Sequence, residues 1–401
     1  MRFSRCLLPI ALLALTFAPV ASSAEPKVSD SLRPFVEKNQ LAGAVVLVAA
    51  PDKVLAVEAV GFADREAKTP MRPDNLFWIA SMTKPMTAAA LMMLVDEKKV
   101  SLDDPVEKYL PEFKNVWLVA EQDKDHVLLK KPTRPPTVRD CLRHTSGMPF
   151  GSALESPTID KLYLKDAVKS YTITPLQSEP GTKYAYSNAG INTAGRVIEV
   201  VTGTGYEDFM AERVFGPLGM TDSTWRPTAE QMKRLATTYR PVKDAKDALE
   251  AMPIAPLAQP LTDPTRQPCP GGGLFSTAKD VAAFGQMILR GGVAADGKRL
   301  LSEAAVRELT GTQTDELLNK GKGEGGYGLG FSTTRKAKAD GPAVAGPCGH
   351  GGAYATNLWI NPDNRLVTVF MVQYAGVSDV TTDFGKARPA FEKAAADIYG
   401  K

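Results

Sequence analysis

Sequence typical of β-strands lies near the two ends of this chain, with helical sequence between, and that placement constrains the fold more than any other feature. Ala44 to Ala50 and Val54 to Gly61 read as two strands around the turn Pro51-Asp52-Lys53. Thr356 to Ile360 and Leu366 to Gln373 make a second hairpin across Asn361-Pro362-Asp363-Asn364. Between them, Pro85 to Val95 is rich in alanine, leucine and methionine and predicts a helix. Ile191, Ala194, Ile198 and Val201 fall at helical spacing, with Gly203 and Gly205 as the stop. A further helix begins at Thr277, with Val281, Phe284 and Ile288 on one face. Val28 to Asn39 predicts a short helix before the first strand, and Phe391, Ala394, Ala395 and Ile398 mark an amphipathic helix that closes the chain. Two irregular stretches interrupt this order. Glu121 to Pro136 is charge-rich and reads as an exposed excursion, and Pro253 to Pro270 is proline-studded, as loops bordering binding sites often are. The expectation is an α/β fold with one sheet built from both chain ends and a helical insertion.

Arg2 and Arg5 precede an apolar run from Leu7 to about Val20, and Ser22-Ser23-Ala24 offers small residues for cleavage before Glu25. That is the layout of a signal peptide over residues 1–24, so the chain is expected to be exported, to the periplasm or beyond. The run is shorter than the ~20 residues of a membrane span, and no second one follows. The whole chain carries a formal net charge of +3, and losing Arg2 and Arg5 leaves +1. So near neutrality, bulk charge supplies no case for binding nucleic acid or acidic membranes. Removal of the leader also takes Cys6, leaving Cys141, Cys269 and Cys348, enough for one disulfide and one free thiol. No C-x-x-C pair occurs and the histidines are His126, His144 and His350, so neither a metal site nor a cofactor is expected.

Ser81-Met82-Thr83-Lys84 opens an apolar helical segment. Residues three apart on a helix are neighbours, with Cβ atoms about 5–6 Å apart, so the lysine amine would lie beside the serine hydroxyl. The Ser81 N–H would then fall among the free donors of the helix start, where an oxyanion can be held. Pro85 suits a first turn but equally permits a helix that starts one turn later, and Ser81 by pattern alone reads as either nucleophile or cap. Ser276-Thr277-Ala278-Lys279 has the same spacing, but there Thr277 and Asp280 resemble a helix cap. Tyr186-Ser187-Asn188 follows the turn Glu179-Pro180-Gly181; on its own it reads as a loop tyrosine and a capping asparagine, or as site residues. His350-Gly351-Gly352 stands before the terminal hairpin, where glycines serve a plain turn or the close approach of backbone to a ligand.

In this order, S-x-x-K, Y-x-N and H-x-G before a terminal hairpin resemble the class C β-lactamase-like serine hydrolases, a group of β-lactamases, D-alanyl-D-alanine carboxypeptidases, D-aminopeptidases and esterases. Phe77-Trp78-Ile79-Ala80 before the serine, Cys141 to Gly147, Val214 to Met220 and Gly272 to Thr277 are similar to further landmarks of that family. The resemblance implies a β-lactamase-like fold: an antiparallel sheet domain from residues 25–98 and 230–401, a mainly helical domain from 99–229, and an active site between them. It implies Ser81 as nucleophile, Lys84 and Tyr186 as the proton-handling pair, and Asn188, His350, Gly351 and Gly352 as substrate contacts. The oxyanion hole would be the N–H groups of Ser81 and Ala353. The segments holding Cys269 and Cys348 would converge on the site, which makes a disulfide between them an expectation, with Cys141 a core thiol.

The chemistry is coherent from below as well. A serine hydroxyl needs a neighbour to take its proton. No G-x-S-x-G turn supports a Ser-His-Asp triad; His144 belongs to a segment that is structural in the family and His126 to the charged excursion. Either Lys84 or Tyr186 takes the proton, and an ammonium at Lys84 would lower the pKa of Tyr186 toward a tyrosinate. At His350, relatives that are β-lactamases and carboxypeptidases carry a lysine that faces a substrate carboxylate. A histidine of ordinary pKa is only about a quarter charged at pH 7. The expected function is therefore a carboxylesterase for small uncharged esters, working through an acyl-enzyme. β-Lactam or D-amino-acid peptide hydrolysis is the alternative, and a non-catalytic binding or sensor protein on the same scaffold is the different-class alternative.

Overall fold

Gly43–Ala49 (β1) is buried along its whole length because its side chains feed two cores in alternation. Val45, Leu47 and Ala49 enter one core; Ala44, Val46 and Val48 enter the other. Such an unbroken apolar run is what a strand covered on both faces requires. The computed structural model describes residues 26–242, 245, 248–319, 325–336, 344–376 and 383–400. The expected leader at 1–24 lies outside them.

β1 is the seam of an eight-stranded antiparallel sheet. Its other strands are Val54–Asp64 (β2), Thr69–Pro70 (β3), Gly326–Tyr327 (β4), Ser332–Lys336 (β5), Val344–Gly351 (β6), Asn357–Asn361 (β7) and Leu366–Met371 (β8). Their order is β4-β5-β6-β7-β8-β1-β2-β3, so β1 joins the amino-terminal strands to the carboxy-terminal ones. The sheet built from both ends is therefore the observed one.

The four longest helices are Thr83–Asp96 (α1), Asn188–Thr202 (α2), Ala278–Leu289 (α3) and Ala387–Tyr399 (α4). α1 is buried from Thr83 to Leu94 and lies in the larger core with residues of α2 and α3, while Phe391 and Ala395 of α4 fill the core on the other sheet face. Thr277 caps α3 by accepting from the Asp280 N–H, as its sequence predicts.

One local expectation is corrected, and another, the exposed excursion, holds over residues 121–130 with added detail. Val28 to Asn39 is a 3₁₀ turn, Val28–Leu32, followed by a short helix, Arg33–Glu37, with Pro34 in its first turn. The charge-rich excursion contains a two-stranded ribbon, Leu118–Gln122 against Val127–Lys130. Its return strand is exposed at every position, so no burial pattern announced it.

Candidate active site

The segment before Ser81 is held by long-range bonds. Phe77–Trp78 pairs with Phe275–Ser276, the Ile79 N–H donates to the Leu274 carbonyl, and the Trp78 indole donates to the Gly272 carbonyl at 2.8 Å. Gln373 reaches from beyond β8 to the Trp78 carbonyl at 3.0 Å. Ala80 has a φ of 46°, a left-handed conformation that costs a non-glycine residue about 1 kcal/mol or more. It turns the chain sharply into the 3₁₀ turn Ala80–Met82, and α1 follows at Thr83. The helix begins after the serine, yet the three-residue spacing still brings Lys84 Nζ to 3.0 Å from Ser81 Oγ.

Lys84 is completely buried. Its amine donates to Asn188 Oδ1 at 2.7 Å and to the Gly271 carbonyl at 2.5 Å, and sits 4.7 Å from the centre of the Tyr186 ring. Burial lowers its pKa to about 7, with the Cys269 thiol opposing weakly. Asn188 is free to meet the lysine because Ser187, not Asn188, caps α2, accepting from the Gly190 N–H at 3.1 Å. Burial also raises the Tyr186 phenol well above its ordinary value, against the hydrogen bond with the Ser81 hydroxyl. The expected tyrosinate beside an ammonium is thereby corrected: desolvation disfavours the phenolate, and Tyr186 rests as a neutral phenol.

His350 on β6 is 5% exposed. Its Nδ1 lies 2.6 Å from the Gly351 carbonyl and its Nε2 lies 2.9 Å from the Tyr327 hydroxyl. With Nδ1 donating to the carbonyl, Nε2 accepts from the phenol, and both nitrogens are taken by protein groups. Burial, and then the charge of Lys84, pushes its pKa down to about 3. The expectation of a partly charged imidazole at neutral pH does not hold. The turn after it is pinned beside the serine: the Gly352 N–H donates to the Thr356 carbonyl at 2.7 Å, and the Thr356 hydroxyl donates to the Ile79 carbonyl at 3.3 Å. A Cβ on Gly352 would stand 2.5 Å from that Ile79 carbonyl oxygen, so only glycine fits. Among the described residues no protein acceptor takes the N–H of Ser81 or of Ala353.

The second S-x-x-K is not a site. Ser276 is buried against the Ser223 hydroxyl at 2.8 Å and Lys279 is exposed. His144 is buried, accepts the Ser187 N–H at Nδ1 and packs its ring 4.4 Å from that of Tyr186. It scaffolds the tyrosine. The expected disulfide is also corrected: Cys141, Cys269 and Cys348 are all free and buried. Cys269 Sγ faces Asn192 Oδ1 on α2 at 3.5 Å, whereas Cys348 packs in the core beneath the sheet. Sequence reading missed Tyr327, Asn192 and the Gly271 carbonyl. A backbone carbonyl carries no side-chain signature, and Gly271 stood out only as part of a glycine run.

The sequence profile of the family described as Beta-lactamase matches residues 28–390. Protein Rv1367c of Mycobacterium tuberculosis is 33% identical over 383 residues, covering 89% of this chain and 91% of that protein. Esterase EstB of Burkholderia gladioli is 29% identical over 405 residues, covering 92% of this chain and 95% of that protein. Among solved structures, EstCE1, described as a hydrolase with promiscuous acyltransferase activity, superposes with a TM-score of 0.73 at 23% identity, covering 93% of this chain and 97% of that one. A LovD6 mutant of simvastatin synthase from Aspergillus terreus superposes with a TM-score of 0.74 at 20% identity, covering 92% and 94%.

Proposed function

Because the chain belongs to the Beta-lactamase family, we propose that it is an exported serine carboxylesterase that hydrolyses small uncharged esters through an acyl-enzyme on Ser81. The observation that carries this reading is the desolvated Lys84 amine, 3.0 Å from the serine hydroxyl and fixed by two carbonyl acceptors. A neutral amine has two N–H bonds and one lone pair. With both N–H bonds given to Asn188 Oδ1 and the Gly271 carbonyl, the lone pair faces Ser81 and accepts its proton. Ser81 Oγ attacks the ester carbonyl carbon, and the N–H groups of Ser81 and Ala353 hold the oxyanion. Collapse breaks the C–O bond, and the proton returns from Lys84 through the Tyr186 hydroxyl to the departing alkoxide. Water then attacks the acyl-enzyme by the same route and releases the acid and free Ser81.

The preference for uncharged esters rests on His350. It is buried and neutral, so it offers a substrate carboxylate no charge at the position where β-lactamases and carboxypeptidases carry lysine. The similarity to EstB over 92% of the chain points the same way. The test has two parts. A fluorophosphonate should label Ser81 and not Ser276, and Ser81→Ala should lower turnover on the order of 10⁴-fold or more. A panel of short p-nitrophenyl esters, a chromogenic cephalosporin and a D-alanyl peptide should show turnover dominated by the esters. Labelling elsewhere would end the serine assignment, and dominant cephalosporin or peptide turnover would end the esterase assignment.

A further inference from the structure

The peptide group between Pro270 and Gly271 is gripped at both ends, by the two helices that already carry Lys84 and Asn188. Its carbonyl, on Pro270, accepts from Thr87 Oγ1 at 2.8 Å, and its N–H, on Gly271, donates to Asn192 Oδ1 at 2.9 Å. Thr87 lies one turn after Lys84 on α1, and Asn192 one turn after Asn188 on α2, so each helix presents both of its residues on one face. Both grips are buried and are themselves backed. Thr87 Oγ1 meets the Tyr206 hydroxyl at 2.6 Å. Asn192 Nδ2 donates to the Tyr171 hydroxyl at 2.9 Å, which in turn donates to Glu155 Oε1 at 2.7 Å. A Cβ on Gly271 would lie 3.0 Å from Asn188 Oδ1, so the strand of backbone runs close against the site. With the 270–271 peptide plane fixed, the next carbonyl, that of Gly271, is aimed at Lys84 Nζ.

We infer that Thr87 and Asn192 are positioning residues that act on the reaction through the 270–271 peptide, holding the Gly271 carbonyl where it orients the Lys84 amine toward Ser81. This rests on the proposed role of Ser81 and Lys84. Neither residue touches the reacting atoms. Their effect comes from removing the lysine's freedom to turn away, and a misplacement of about 1 Å in such a group can cost on the order of 10²-fold in rate. The other titratable groups facing Lys84 are Tyr186, His144, His350 and Cys269; of these, the Cys269 thiol shares the Gly271 N–H and Asn192 Oδ1.

The test is the pH profile of fluorophosphonate labelling at Ser81, which needs no assumption about the ester. Thr87→Val and Asn192→Leu should each lower the maximal labelling rate about ten- to a hundred-fold without changing probe affinity. The acid limb should move to lower pH, because the ammonium loses a held acceptor. Asn192→Asp, which keeps an acceptor for the Gly271 N–H and adds a negative charge, should move that limb the other way. Thr310→Val, which removes a buried hydroxyl bonded only to its own helix, is the control for a merely structural loss and should leave the limb in place. If Ser81 of the native protein labels but Thr87→Val and Asn192→Leu keep its rate, or slow with an unmoved limb, the positioning role is overturned while the serine mechanism stands. If the native protein does not label at Ser81, both fall.

Discussion

A lysine amine in water is charged at any neutral pH, and Lys84 can serve as a base only because folding strips its water away. Its pKa falls to about 7, so the neutral fraction is lost as pH drops through that value. The rate of acylation should therefore fall about tenfold per unit below pH 7. Tyr186→Phe should retain this limb while losing kcat on esters with poor leaving groups, since the phenol hands on a proton rather than taking the first one. A pH profile of turnover on a p-nitrophenyl ester and on an alkyl ester of the same acid checks both statements. At His350 the direction is the same but the consequence is opposite. With its pKa pushed down to about 3, the imidazole gains no charge at mildly acid pH. The kcat/KM of a sulfonated phenyl ester relative to a neutral one should stay constant between about pH 7.5 and 5.5. A relative gain toward acid would mean that His350 titrates in contact with substrate.

The helices and strand that carry Lys84, Asn188 and His350 are joined at the site by loops held by few but buried interactions. The stretch leading into Gly271 is anchored by Arg266, whose guanidinium meets Asp160 at 2.7 Å with both side chains almost fully buried. Arg266 also donates to the carbonyls of Leu261 and Trp225, and Asp160 accepts the Ala258 N–H, so the pair ties three segments together. Breaking a buried pair leaves an uncompensated charge. Asp160→Asn should therefore cost about 3–5 kcal/mol of stability and loosen the Gly271 carbonyl, lowering turnover as well. Glu230→Ala, which breaks an exposed pair with Lys233, should change stability by less than about 1 kcal/mol. Urea unfolding midpoints of the two variants would separate these outcomes. Gly352→Ala should abolish turnover through its collision with the Ile79 carbonyl, which forces the turn holding Ala353 away from Ser81.

At the scale of the whole molecule, the sheet is packed on both faces, and Cys141, Cys269 and Cys348 are all free and buried, so no covalent staple joins them. Thiol titration of the denatured, unreduced protein lacking residues 1–24 should find three sulfhydryls, and a count of one would restore the Cys269–Cys348 bridge. What sequence by itself determined is what depends on near neighbours. The unbroken apolar run in Gly43–Ala49 marked a strand, Thr277 and Asp280 marked a helix start, and the three-residue spacing of Ser81 and Lys84 set hydroxyl against amine. Tertiary structure alone decided the state of those groups. The Lys84 amine loses its water because the fold buries it completely, with Asn188 and Gly271, more than a hundred residues along the chain, as its acceptors, and His350 is neutral because Tyr327 and the sheet bury it. Spacing and capping act within a turn of backbone and leave a local pattern. Desolvation and hydrogen bonds to a distant carbonyl depend on which surfaces meet, and no local pattern records that.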